Sequence, residues 1–251
     1  MASLWFVVPA HGRPQLARIC LTQLRRTCDA LCAEGVAATA VVVGDDENLD
    51  TARELGFGTV RRANDFVSRK FNDGIQLALD ERVNPWPADY VVPCGSDDWV
   101  DHRLFLDLPG PDTVVGFQRM SFVREDGREI VTTFLNYEGG AGIRVYPRHL
   151  LEPLGYRPAD EDRHRACDTS ILTNVRLRHR DRMRVEHRHI HDRQIIDWKS
   201  GGTQLNSYRQ VTALRRSREP GDPFVELAGV YPDEALAEMR AHYLGAELVA
   251  A

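Results

Sequence analysis

Along the first hundred residues, short unbroken apolar runs alternate with stretches of helical period. Leu4-Trp5-Phe6-Val7-Val8 and Ala40-Val41-Val42-Val43 have no polar interruption, the pattern of strands buried on both faces. Thr59-Val60 predicts a short third strand and Tyr90-Val91-Val92 a fourth. Between them, Pro14 opens a helix with Leu16, Ile19, Cys20 and Leu24 about one turn apart. Ser68 is expected to cap a helix carrying Phe71, Ile75 and Leu79. This alternation predicts an α/β fold with a doubly wound, mostly parallel sheet.

Beyond about residue 101 the pattern changes. Val114 to Arg124 and Glu129 to Phe134 flank Glu125-Asp126-Gly127-Arg128, a hairpin signal. Gly139-Gly140-Ala141-Gly142 leads into a strand at Ile143-Arg144-Val145-Tyr146. Helix signals follow at Pro147 to Leu154 and at about Arg165 to Asn174, and Arg184 to His191 is polar but extended. Pro232-Asp233-Glu234 opens a last helix whose stripe of Leu236, Met239, Tyr243 and Leu244 suits core packing or a homodimer face. With no repeat or linker, the chain is expected to form a single domain over 1–251. Its halves are a first part to about 101 and a mixed, smaller part to about 231, closed by the helix 232–251.

Composition narrows the class. At 251 residues the chain supports one sizeable core. A formal net charge of -5 argues against a nucleic-acid partner. No apolar run is long enough to span a bilayer. The apolar opening is too short for a secretion signal and has no basic residue before it, so a cytoplasmic location is expected. The five cysteines are odd in number and read as reduced core thiols. Of 32 basic residues only Lys70 and Lys199 are lysines. In so arginine-biased a chain, a retained ammonium suits a compact phosphate contact; chance survival is the alternative.

In an open α/β sheet, ligands bind outside the carboxyl ends of the strands. Here those ends carry Pro9-Ala10-His11-Gly12-Arg13, Gly44-Asp45-Asp46-Glu47 and Gly95-Ser96-Asp97-Asp98. An isolated Asp-Asp is usually a solvated turn. After an apolar strand, the pair Asp97-Asp98 is better explained by a divalent cation, and oxygen ligands suit Mg²⁺ or Mn²⁺.

Four segments, in order, resemble inverting, family-2-type glycosyltransferases of the GT-A (nucleotide-diphospho-sugar transferase) fold. They are Phe6 to Pro14, Val41 to Asp46, Asn64 to Gly74 with its Asn-x3-Ser-x3-Asn-x-Gly spacing, and Tyr90 to Asp98. The likeness is good to about Asp101 and thin afterwards; the arginine bias and size also fit phage-encoded enzymes, whose location would be the host cytoplasm. Gly95 departs from it, standing where the family's first Asp is expected. The resemblance implies transfer of a sugar, hexosyltransferase-like, from a UDP- or GDP-sugar to a hydroxyl of a protein or glycan. It makes the part to about 101 the nucleotide-sugar-binding half and the part to about 231 the acceptor half and lid, and implies nucleotide-sugar contacts from Pro9, His11, Arg13, Asp45, Asp46, Lys70, Asn72, Ser96 and Asp97. Asp97 or Asp98 would be the metal ligand, helped by a late histidine. His187, His189 and His191 recur at period two on one face of an extended segment, with His191 preferred and His189 second. Ile195 to Thr203 resembles a lid, with Lys199 on the diphosphate and Trp198 shielding the site. The general base is expected to be Asp168 at a helix start, ahead of Asp162. The competing readings are a non-catalytic nucleotide-sugar or carbohydrate binder, a sugar-phosphate nucleotidyltransferase, which expects a Gly-rich, Lys-containing loop after the first strand, and a zinc hydrolase built on His189 and His191.

Overall fold

The computed structural model describes residues 1–135, 142–199, 208–212 and 219–245. In chain order the strands are β1 (Ser3–Pro9), β2 (Ala37–Gly44), β3 (Gly58–Arg61), β4 (Tyr90–Pro93), β5 (Asp98–Val100), β6 (Thr113–Phe117), β7 (Arg119–Val123), β8 (Ile130–Phe134), β9 (Arg144–Pro147), β10 (Arg184–Arg188) and β11 (Ile195–Trp198). The helices are α1 (Pro14–Ala33), α2 (Asp46–Glu54), α3 (Val67–Leu79), α4 (Arg148–Leu151), α5 (Cys167–His179), α6 (Tyr208–Thr212), α7 (Pro223–Glu226) and α8 (Asp233–Leu244).

Seven strands form one sheet in the order β10-β6-β9-β4-β1-β2-β3. All neighbours run parallel except β9, which is antiparallel to both β4 and β6. Four more form a second sheet, β5-β11-β7-β8. The α/β fold with a mostly parallel sheet and a smaller mixed half is thus as expected. The unbroken apolar runs follow from burial on both faces. Phe6, Val8 and Val42 join one core cluster, while Val7, Val41 and Val43 join the opposite one, as strand alternation requires.

Several local expectations are corrected. Ser68 lies inside α3, whose N-cap is Phe66. Its hydroxyl accepts from the Arg163 N–H at 3.1 Å, so it ties down a distant loop rather than capping its own helix. The first arm of the predicted hairpin is two strands in different sheets: β6 joins the large sheet, and only β7 pairs with β8. The extended segment ends at Arg188, so His189 and His191 lie beyond β10 and share no strand face with His187. The expected lid begins as β11, a fully buried strand between β5 and β7. Ser200-Gly201-Gly202-Thr203 and the glycines Gly139 and Gly140 lie outside the described residues. The stripe of the last helix packs inward: Leu236 and Met239 share a core cluster with Leu16, Trp99 and Trp198. No helix among the described residues is long and apolar enough to cross a membrane, and all five cysteines are free.

Candidate active site

The carboxyl ends of β1, β2 and β4 lie side by side, because Pro9 registers with Val43 and Val7 with Pro93. The turns that leave them build the site. After β1, Arg13 takes a left-handed conformation (φ 48°) and Pro14 starts α1. This turn sends the Arg13 guanidinium to Asp97, with Nη1 2.8 Å from Oδ2. After β4, the turn Gly95-Ser96-Asp97 leads into β5, which begins at Asp98. A Cβ on Gly95 would sit 2.7 Å from Asp97 Oδ1 and 2.7 Å from Asp98 Oδ2. Glycine therefore lets both carboxylates fold back over the backbone, and the Gly95 N–H donates to Asp98 Oδ2 at 2.6 Å.

Strand β11 supplies a third carboxylate. It runs antiparallel to β5 with Asp197 opposite Asp98, so Asp97, Asp98 and Asp197 each place an oxygen within 4.8 Å of the others. The side chains of β11 alternate. Asp197 and Lys199 face the site and form an ion pair, whereas Trp198 points away into the core against Trp99 and Tyr243. Desolvation, and then the charges of Asp197 and Asp97, hold the Asp98 carboxyl well above the usual range. Desolvation likewise raises Asp197, against the pull of Lys199. Although desolvation works the other way, Asp197 and Asp97 hold the Lys199 ammonium above its ordinary value.

Two cavities meet over this cluster. One, of about 320 Å³, is lined by Pro9, His11, Arg13, Lys70, Ser96 and Asp97 among others. The other, of about 300 Å³, has an apolar wall of Met120, Phe122 and Ile143 and also reaches Asp98, Asp168 and Asp197. Gly95, Asp97, His164 and Lys199 line both. In the first cavity, the Lys70 ammonium donates to the Ala10 carbonyl at 2.9 Å, and desolvation lowers its pKa. Asp45, which neither cavity includes, stands behind His11: it accepts from Asn48 at 2.7 Å and pairs with His11 Nδ1 at 2.9 Å. Despite some desolvation, these two contacts hold the Asp45 carboxyl below its usual value. In the second cavity, Asp168 lies in the first turn of α5, with Arg144 Nη1 3.3 Å from its Oδ2.

Some sequence candidates fall elsewhere. Asp46 pairs with Arg61 at the surface, and neither cavity includes it. Asn72 has both ends of its amide engaged, donating to the Ala159 carbonyl and accepting from the Ala159 N–H. Asp162 is exposed and bound to Arg69. His189 and His191 are exposed, and neither cavity includes them. Asp197, Arg144 and His164 were not singled out in the sequence. For Asp197 a signal existed: Asp197 and Lys199 stand two apart after Ile195-Ile196, which puts both on one face of a buried strand.

The cluster fits a divalent cation. It offers three hard oxygen donors. One of them, Asp197 Oδ1, is buried without a hydrogen-bond partner among the described residues, a costly state for a carboxylate that binds nothing.

Neither a family model nor a curated protein matches the chain. In structure it is similar to glucosyl-3-phosphoglycerate synthase from Mycobacterium tuberculosis in complex with Mn²⁺, UDP and phosphoglyceric acid. That likeness has 10% identity over 96% of this chain and 78% of the other, at a TM-score of 0.49. A mutant of Drosophila β-1,4-galactosyltransferase 7 with manganese, UDP-Gal and xylobiose gives 14% identity, 87% and 82% coverage and a TM-score of 0.44. A 4-diphosphocytidyl-2C-methyl-D-erythritol synthase from Anaerococcus prevotii gives 12%, 76%, 90% and 0.43. Likenesses this distant say nothing of chemistry. The architecture stands on its own strand order: a mostly parallel sheet with β9 reversed, and a smaller second sheet.

Proposed function

We propose that the chain transfers a sugar from a nucleotide-diphosphate sugar to a hydroxyl acceptor, with a divalent cation and with inversion. The observation that carries this reading is the meeting of two cavities over three carboxylates and a lysine. The cavity along β1 and α3 takes the donor, with Pro9, His11 and Asp45 toward the nucleoside and Arg13, Lys70, Ser96 and Lys199 toward the phosphates. Asp97, Asp98 and Asp197 would hold Mn²⁺ or Mg²⁺, which when bound supplies Lewis-acid neutralisation of the departing nucleoside diphosphate. His189 and His191 are replaced in that role by Asp197.

The second cavity takes the acceptor. Asp168 accepts the proton of the acceptor hydroxyl as its oxygen bonds to the anomeric carbon. The bond from that carbon to the diphosphate oxygen breaks on the opposite face, and the electron pair leaves with the nucleoside diphosphate. Arg144, fully buried, fixes the Asp168 carboxylate through its side chain and also binds the Asp168 carbonyl at 3.0 Å.

The test is release of nucleoside diphosphate from a panel of UDP- and GDP-sugars, with Mn²⁺ and after chelation. Turnover is expected only with metal. Asp97→Ala and Asp98→Ala should each lower it by at least ~100-fold, the scale of losing transition-state charge stabilisation. Full turnover in EDTA would remove the proposal.

A further inference from the structure

We infer that Lys199 is a resident counter-ion of the acidic cluster, held by Asp197 in the metal-free protein and passed to the donor's diphosphate when a divalent cation takes its place. This rests on the metal-dependent donor site proposed above. What it adds is that one lysine serves two partners in turn.

Three carboxylates whose oxygens lie within 4.8 Å of one another repel strongly unless positive charge is at hand. In the protein alone, among the described residues, two side chains supply it: Arg13 on Asp97 and Lys199 on Asp197. They are not equivalent. The planar Arg13 guanidinium sits at the root of α1, on the half-buried Asp97. Lys199 sits on the buried Asp197, and only one oxygen of that carboxylate is used. Asp197 Oδ1 has no hydrogen-bond partner among the described residues. The pair is therefore half-satisfied, and a cation able to accept several oxygens satisfies what an ammonium on Oδ2 leaves open.

The lysine is also built to move by its side chain alone. Its backbone N–H donates to the Val123 carbonyl at 3.1 Å, and its carbonyl accepts from the Tyr243 hydroxyl at 2.6 Å. The main chain is thus tied on both sides of the residue. The side chain is a flexible four-carbon stem, and it borders both cavities. Phe122, whose ring centroid is 5.6 Å from Nζ, offers the ammonium a face to pass over. An arginine on a stem of similar length could not trade one oxygen for another so freely, because its planar fork prefers two at once. The exchange gives a reason for lysine at this place in a chain whose other basic residues, apart from Lys70, are arginines.

The scarcity of lysine also provides the test on the wild-type chain. Amine acylation followed by peptide mass spectrometry reports Lys199 against an added lysine-containing peptide as reference. Mn²⁺ alone is expected to speed Lys199 labelling roughly threefold or more, since its ammonium loses its carboxylate partner. Adding UDP or GDP with Mn²⁺ should suppress the labelling again. In parallel, Mn²⁺ affinity is measured by electron paramagnetic resonance without nucleotide. Lys199→Met should bind Mn²⁺ roughly tenfold more tightly, as a competing cation is gone, yet bind UDP or GDP in saturating Mn²⁺ more weakly. Lys199 labelling that Mn²⁺ leaves unchanged or slows overturns the inference alone, as does a Lys199→Met protein that binds Mn²⁺ no better than wild type. A wild-type chain that binds no Mn²⁺ removes the donor-site reading and this inference together. If the variant does not fold, the labelling of wild type still decides.

Discussion

Asp168 and Asp162 are both acidic residues in the same stretch of sequence, and the structure separates them by surroundings. Asp162 is exposed and neutralised by Arg69 across the surface. Asp168 shares a cavity with Asp97, Asp98 and Lys199, and buried Arg144 orients it. Of the two, only Asp168 borders a cavity and is fixed by a buried partner, as the base proposed above requires. Asp168→Asn is expected to lower sugar transfer by roughly 10²–10⁴-fold, the usual contribution of a positioned base. The Kd of the nucleoside diphosphate with Mn²⁺ should stay within about twofold, because the substitution lies on the acceptor side. Asp162→Asn should leave transfer nearly unchanged. Equal losses from both variants, or weaker nucleotide binding by Asp168→Asn, would count against the assignment. Gly95 carries a related lesson. In the sequence it looked like a missing acid; in the structure it is the space into which Asp97 and Asp98 fold.

Helix α3 shows what a spacing motif conceals. Asn64, Ser68, Asn72 and Gly74 were legible as a pattern, and the pattern pointed toward a ligand. Each has a structural partner, although Asn64 also lines the donor cavity. Asn64 Oδ1 lies 3.4 Å from Lys70 Nζ, Ser68 binds Arg163, Asn72 clamps Ala159, and Gly74 lies against β1 and β2. The helix therefore joins the donor cavity to the loop that leads into α5 and Asp168. The helical period of apolar residues placed α3, and short apolar runs, of strands buried on both faces, placed the first four parallel strands. It could not supply the partners of Ser68 and Asn72, which lie 95 and 87 positions away. The same limit hid β11. Its apolar start read as the opening of a lid, and only the register with β5 makes Asp197 a neighbour of Asp98. Gly74 gives the element-scale prediction. A Cβ there would lie 2.4 Å from Val7 Cγ1 and 3.0 Å from Val43 Cγ2, and valine side chains are stiff. Overpacking of this kind costs about 1–3 kcal/mol, and alanine's better helix propensity returns roughly 0.8–1. Gly74→Ala should therefore lower the unfolding free energy by up to roughly 2 kcal/mol in urea titration, with m unchanged. A stabilised variant would show that α3 does not sit as closely on the sheet as described.

Over the whole molecule, the two sheets meet where the chemistry is proposed. Strand β4 of the large sheet ends at Pro93 and hands the chain through Gly95 to β5, the edge strand of the small sheet. Asp97 and Asp98 stand at that junction, and Asp197 arrives from β11, about a hundred residues later. A cation bound by all three would join these distant segments in the native state and lack such a site in the unfolded chain. It must then stabilise by mass action, by about 2.7 kcal/mol at a hundredfold excess over Kd. For a chain of this size each kcal/mol moves the midpoint by about 2–4 °C. Mn²⁺ at that excess should therefore raise the thermal midpoint by roughly 5–10 °C over EDTA-treated protein. Asp197→Asn keeps the shape of the side chain but loses a charged ligand, so its shift at the same Mn²⁺ concentration should fall to less than about half. His191→Ala, on the exposed turn beyond β10, should leave the shift as in wild type. If His191→Ala abolished the shift and Asp197→Asn preserved it, the metal would belong to the histidine segment and not to the junction of the two sheets.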